Sequence, residues 1–308
     1  MASSTALTPT TSGTGPALPA AAQDVLTDVA ALASSRASSE NFPVASKVLP
    51  APARRDLMAV YRYARFVDDL GDGERGGPAG ACARLDALAA VAQDVQRLPE
   101  ARLDVVAGLS ALVAARPEAR QALLDLITAN RVDQEVSRYE SFDDLLGYCH
   151  LSAAPVGRLV LAIAGVTSPS ARAASDDVCN GLQILEHCQD VGEDARRGRI
   201  YLPLADLRAA GVEESATLAA HTSPALRGVV AQQVARARDL LASGHPLLAD
   251  LHGWARIAVA GYVGGGLATA VALERGDFAV LESLLSPSRR RTATEAARLL
   301  AGAVRGPR

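Results

Sequence analysis

The sequence predicts an all-α protein, and three observations carry that prediction. β-branched alternation is scarce, Ala, Leu, Arg, Glu and Asp recur at three- and four-residue spacing for most of the length, and proline and glycine fall where helices should end. The first candidate helix, about 22–36, stops before Phe42-Pro43. The second, 51–70, opens after Leu49-Pro50 and closes in the glycine-rich stretch from Gly71 to Pro78. Two more follow at 80–95 and 101–115, and Arg116-Pro117 starts a fifth at 117–137. A long segment, 141–166, ends before Ser168-Pro169, and another runs over 170–195. The remainder reads as 203–209, 224–243, 246–274 closed by Gly276, and 277–285.

No repeat and no low-complexity linker divides the middle, so one helical domain over 24–285 is the simplest organisation. Residues 1–23, rich in Ser, Thr, Pro, Ala and Gly without a basic residue, read as a disordered tail and lack the pattern of a signal peptide. A cytoplasmic protein is the expectation. Residues 286–308 read as a basic C-terminal tail, with six Arg against Glu295 alone, able to make peripheral contact with anionic lipid. Trp254 to Leu273 approaches membrane-spanning length, but its glycines at 261, 264, 265 and 266 suit a helix packed closely against neighbours.

The 308 residues are 49% hydrophobic and 21% charged, with 31 basic against 34 acidic side chains and a net charge of −3. That balance argues against nucleic-acid binding. Lys47 is the only lysine, so the Arg excess reflects composition rather than function. The four cysteines, Cys82, Cys149, Cys179 and Cys188, form no C-x-x-C pair and read as reduced thiols, with Cys149 and Cys188 in the core.

Chemistry concentrates in two helical segments. Tyr61, Arg65, Asp68 and Asp72 fall on one face of the first by the i, i+3/i+4 rule, with Asp69 alongside. Gln183, Glu186, Asp190 and Asp194 share a face of the second. Like charges one turn apart destabilise a helix unless a cation is present. Hard carboxylate oxygens in two such sets match Mg²⁺, two or three ions, which would bridge the phosphates of a diphosphate and help it leave. Arg65 and Arg199 add guanidinium groups suited to the same anion.

These residues resemble the squalene and phytoene synthase family of head-to-head isoprenoid synthases, over about residues 36–280. Asp68, Asp69 and Asp72 match its first Asp-rich motif, with Tyr61 and Arg65 upstream. Asp190-Val191-Gly192-Glu193-Asp194 matches the second, with Arg199 and Tyr201 downstream. Phe42 and Pro50 match near the start, and Tyr148-Cys149 precedes the small-residue run from Ser152 through Pro155 to Gly157. In the family that run belongs to a helix that bends around the prenyl chain, and Pro155 would supply the bend. The resemblance implies a class I isoprenoid synthase fold with a central apolar cavity. It also implies substrate-binding roles for Asn41, Phe42, Arg65, Tyr148, Ser152, Gly157, Gln183, Gln189, Arg199 and Tyr262, and catalytic roles for Tyr61 and Tyr201.

Where condensing members carry Ser-(Ser/Lys)-Ser-Phe, and later an Asn and an Arg before the second motif, this chain has Glu40-Asn41-Phe42, Glu186 and Gln189. Fewer cations suit one diphosphate better than two. The pattern is similar to the C-type branch found with bacterial hopanoid pathways, which implies hydroxysqualene synthesis: presqualene diphosphate is ionised and its cation trapped by water. Separate enzymes would then form the presqualene diphosphate and reduce the alcohol. The alternative is head-to-head condensation of farnesyl or geranylgeranyl diphosphate to squalene or phytoene. A class I terpene cyclase and a non-catalytic helical partner fit the carboxylate sets less well. Gly71-Asp72-Gly73-Glu74-Arg75-Gly76 matches G-x-G-x-x-G, but no strand precedes it, so no NAD(P)H is expected.

Overall fold

The computed structural model describes residues 19–36, 49–71 and 77–305; Asn41, Phe42 and Asp72 lie outside them. The helices are α1 (Ala20–Arg36), α2 (Ala51–Gly71), α3 (Gly77–Gln96), α4 (Asp104–Ala107), α5 (Ser110–Ala115), α6 (Ala119–Glu135), α7 (Phe142–Ser152) and α8 (Ala154–Ala164). They continue as α9 (Pro169–Gln189), α10 (Val191–Arg196), α11 (Leu204–Ala209), α12 (Pro224–Ala242), α13 (Gly244–Asp250), α14 (Gly253–Arg275) and α15 (Arg289–Arg305), with a 3₁₀ turn at Glu214–Leu218. The fold is all-α, as the periodicity requires.

Local chemistry sets the boundaries. Ser141 opens α7 with a reciprocal capping box to Asp144. Ser168-Pro169 and Ser223-Pro224 place a capping hydroxyl followed by proline at the starts of α9 and α12. Gly165 ends α8 in the left-handed region at φ 74°. The segment read as one helix over 141–166 breaks at Ala153, with Pro155 in the first turn of α8. The 170–195 segment breaks at Asp190, whose φ of −100° and ψ of 13° separate α9 from α10.

Two expectations are corrected. Residues 277–285 are not helical: Asp277 and Phe278 have φ of 51° and 53°, and the Phe278 amide donates to the Leu273 carbonyl at 2.9 Å, closing α14. Residues 289–305 are not a solvated tail but helix α15, docked on α14 through its buried Leu299. A Cβ on Gly264 would lie 2.6 Å from the Ala296 nitrogen, so glycine permits this backbone approach. Gly266 likewise admits Leu182 and Leu241. Phe142–Ala164 and Gly253–Arg275 are long and apolar enough to cross a membrane. In this structure α14 instead packs on α9, α12, α13 and α15.

Two apolar cores fill the molecule. One is built by α1 to α6, with Tyr63, Phe66, Leu88 and Leu123 fully enclosed, and the other by α7, α9 and α12 to α14, with Leu145, Ile184 and Leu185. Helix α8 serves both, giving Leu159 to the first and Leu161 to the second. The Tyr63 hydroxyl donates to the Leu123 carbonyl at 2.8 Å and fixes α2 against α6. Arg158 of α8 forks onto Asp176 of α9 at 2.9 and 2.8 Å and reaches Asp125 of α6 at 3.1 Å. This triad joins the helices that carry the two cores.

Candidate active site

The first carboxylate set is held from α6. Asn130 Nδ2 donates to Asp68 Oδ1 at 3.2 Å, and one turn later Gln134 Nε2 donates to the Gly71 carbonyl at 2.9 Å. Arg84 Nε in turn donates to Gln134 Oε1 at 3.2 Å. Gly71 is required here, because a Cβ would sit 2.0 Å from Asn130 Oδ1 and displace the amide that orients Asp68. Arg65 lies on the same face, with Nε 3.6 Å from Asp69 Oδ1 and its side chain 47% exposed. Tyr61 is half-buried one turn earlier.

The second set occupies the end of α9 and the start of α10. Glu186 is exposed, Asp190 and Asp194 are half-buried, and the Asp194 amide donates to the Asp190 carbonyl at 2.8 Å. Burial pushes the Asp190 carboxyl above the ordinary carboxylate range, and the charges of Asp194, Glu186 and Glu193 push it further. Glu193 is paired outward with Arg197 at 2.8 Å. Gln183 sits 3.3 Å from the His187 ring, whose Nδ1 is 3.9 Å from Asp194.

These carboxylates fit a hard divalent cation in donor type and in mutual repulsion. Among the described residues no three His, Cys, Asp or Glu side chains converge to enclose an ion alone. In the window between the ordinary and the raised Asp190 values, the folded chain holds a proton that the unfolded chain has released. Stability thus falls as pH rises through that window, and the penalty is complete above the raised value. Asp190→Asn will raise the melting temperature of the metal-free protein by about 1–2 °C at pH 7 and reduce the further rise on adding Mg²⁺. A melting temperature that falls would contradict this electrostatic picture.

The C-terminal end of α6 reaches from the first set toward the second. Three residues beyond Asn130, Asp133 accepts the Tyr148 hydroxyl on Oδ2 at 2.7 Å and the Tyr201 hydroxyl on Oδ1 at 3.3 Å. Arg199 Nη2 donates to the Asp133 carbonyl at 3.4 Å. Tyr201 is fixed by backbone pairing of its strand-like segment with residues 137–140: Ile200 N donates to the Ser137 carbonyl and Leu204 N to the Tyr139 carbonyl, each at 2.9 Å. Its ring stacks on His187 at 3.8 Å and on Tyr139 at 5.7 Å, with Tyr148 tilted 5.6 Å away. Asn130, Asp133, Tyr139 and His187 stand beside the two sets through contacts that the carboxylate spacing does not reveal. An amide and a carboxylate three residues apart at a helix end, between two acidic helices, is the signal that points to them.

Other expected site residues are dispersed. Gly157 is packed against α9, where a Cβ would lie 2.4 Å from Ser175 Oγ and 2.6 Å from Cys179 Sγ, so its role here is close helix approach. Ser152 Oγ is buried at the α7–α8 break with no hydrogen-bond partner among the described residues. Gln189 does not face the acidic set: its amide donates to the Leu285 carbonyl at 2.7 Å. Leu285 forms one wall of a cavity of about 380 Å³ between the end of α14 and the start of α15. Tyr262 on α14 and Val156, beside Gly157 on α8, are 47% and 40% exposed and present apolar surface.

The sequence profile of the squalene/phytoene synthases matches residues 35–294. The chain belongs to the squalene/phytoene synthase family. It is 37% identical over 214 residues to a hydroxysqualene synthase of Rhodopseudomonas palustris, covering 69% of this chain and 71% of that one. It is also 36% identical over 226 residues to phytoene synthase 3 of Zea mays, covering 66% of this chain and 49% of the plant protein. Among solved structures, squalene synthase HpnC from Alicyclobacillus acidocaldarius superposes with a TM-score of 0.73 at 33% identity, covering 85% of this chain and 97% of the other. Membership in the squalene/phytoene synthase family makes the chain an isoprenoid synthase and fits a prenyl diphosphate substrate. Both hydroxysqualene and phytoene synthases stand among its relatives, so membership does not choose the reaction.

Proposed function

We propose that this synthase ionises presqualene diphosphate and captures the resulting cation with water, releasing hydroxysqualene and diphosphate. The observation that supports this reading most is the absence of added cations before the second motif. Position 186 is a carboxylate and position 189 is an amide spent on the Leu285 carbonyl. Arg65 and Arg199 stand beside the two sets, and without further cations at 186 and 189 the charge balance suits one diphosphate. Similarity to the hydroxysqualene synthase of R. palustris points the same way.

Asp68, Asp72, Glu186, Asp190 and Asp194 would hold Mg²⁺, which supplies positive charge to the departing diphosphate. Arg65 and Arg199 orient that anion. The apolar surface of α8 and α14, with Val156 and Tyr262, takes the hydrocarbon and keeps bulk water from the cation. Tyr61, Tyr148, Tyr201 and Tyr262 are the hydroxyls available to place a single water. The step is redox-neutral and calls for no nicotinamide. An upstream prenyl-condensing enzyme must supply the cyclopropyl substrate, and a reductive enzyme must consume the alcohol. A thirty-carbon substrate also favours work at a membrane surface, which the arginines of α15 suit.

Incubation of presqualene diphosphate with the protein and Mg²⁺ in ¹⁸O-labelled water tests the reading. It predicts a C30 alcohol carrying one ¹⁸O, formed above a protein-free blank. An unlabelled hydrocarbon as the enzymatic product would contradict it. The second reading, head-to-head condensation, is favoured by the likeness to the Zea mays phytoene synthase.

A further inference from the structure

Water capture leaves one atom-level demand unmet by the carboxylate sets: a water must be oriented with a lone pair toward the cation, and its proton must go elsewhere. The groups around Asp133 meet that demand. Tyr148 from α7 and Tyr201 from the segment after α10 both donate to its carboxylate, at 2.7 and 3.3 Å. Arg199 binds its carbonyl, and Tyr139, just beyond α6, contributes a third phenol. His187 of α9 stacks on Tyr201 at 3.8 Å and lies tilted against the Tyr148 ring at 6.2 Å. The Tyr139 hydroxyl is buried and has no partner among the described residues, so proximity alone does not recruit the carboxylate.

A phenol carries one proton and further lone pairs. Because the Tyr148 proton is directed at Asp133, its oxygen can only accept from any other neighbour. A water bound to it points a hydrogen at Tyr148 and its lone pairs away. That is the orientation in which water attacks a carbocation. Tyr148 keeps 8% of its surface exposed. Burial, Tyr201 and the Asp133 charge all hold its phenol well above the ordinary tyrosine value, so it passes a proton along and does not remain a phenolate.

We propose that Asp133, acting through the Tyr148 hydroxyl, is the positioning residue and proton acceptor for the water that captures the carbocation; this rests on the water-capture reading above. The diphosphate leaves with the electron pair of its carbon–oxygen bond. A water lone pair forms the new carbon–oxygen bond. An O–H bond of the oxonium then breaks, its electrons staying on the alcohol oxygen, while the proton passes to Tyr148 Oη and the Tyr148 proton passes to Asp133 Oδ2. Asp133 returns that proton to solvent between turnovers. Tyr148 is the group that touches the water.

The test is the C30 alcohol formed per diphosphate released, by mass spectrometry and phosphate assay, with presqualene diphosphate and Mg²⁺. Asp133→Asn and Tyr148→Phe are expected to lower that ratio at least about 10-fold in favour of hydrocarbons formed by proton loss, with KM changed less than about threefold. Asp133→Glu is expected to restore part of the ratio. A merely structural loss would lower rate without moving the ratio. A wild-type ratio in Asp133→Asn or Tyr148→Phe, at any rate, overturns the role of Asp133. No alcohol from the wild-type protein overturns the water-capture reading itself.

Discussion

Alanine in place of Asp68 or of Asp190 will lower Mg²⁺-dependent diphosphate release from presqualene diphosphate by at least about 1000-fold. The two residues belong to different helices, α2 and the α9–α10 break, so a shared collapse of activity is what a single diphosphate site spanning both would give. Each is oriented rather than merely present. Asp68 accepts the Asn130 amide, and Asp190 marks the break between α9 and α10 that turns Asp194 onto the next helix. Asp190→Ala also removes the repulsion that pushes its own carboxyl upward, so that variant should fold at least as well as the parent. Near-normal release in either variant would remove the metal-assisted reading.

Arg158→Ala will destabilise the fold by about 3 kcal/mol or more, measured by urea denaturation. The guanidinium is 17% exposed and its partners Asp125 and Asp176 are 13% and 12% exposed, so its loss strands two carboxylates beside one another away from solvent. The pairing also raises the Arg158 value, with the Asp176 hydrogen bond as the largest cause. Since the triad ties α6, α8 and α9, the loss should appear in a single cooperative transition at a lower midpoint. A change below about 1 kcal/mol would mean that solvent reaches the triad freely.

The acidic faces were legible because their chemistry is written locally. Helical period alone groups Asp68 with Asp72 and Glu186 with Asp190 and Asp194, and like charges on one face ask for a cation; Asp72 lies outside the described residues, and the helix breaks at Asp190 so that Asp194 stands on the next one. Asp133 had no such pattern. Its significance comes from hydroxyls 15 and 68 residues away, brought over by α7 and the segment after α10. Gln189 shows the converse: the resemblance implies a substrate-binding role, while the chain 96 residues later supplies a partner for its amide. The Arg-rich end was read from charge, which hid the Ala296 and Leu299 face that docks on α14 at Gly264. Residues 277–285 were read as helix from composition, whereas the left-handed Asp277 and Phe278 turn the chain.

The reaction is decided most directly by product analysis with the purified protein, Mg²⁺ and no nicotinamide, offering presqualene diphosphate and farnesyl diphosphate in separate incubations. The expected products are a C30 alcohol from presqualene diphosphate and nothing from farnesyl diphosphate. Presqualene diphosphate or a C30 hydrocarbon from farnesyl diphosphate would contradict the water-capture reading and make the chain a condensing synthase.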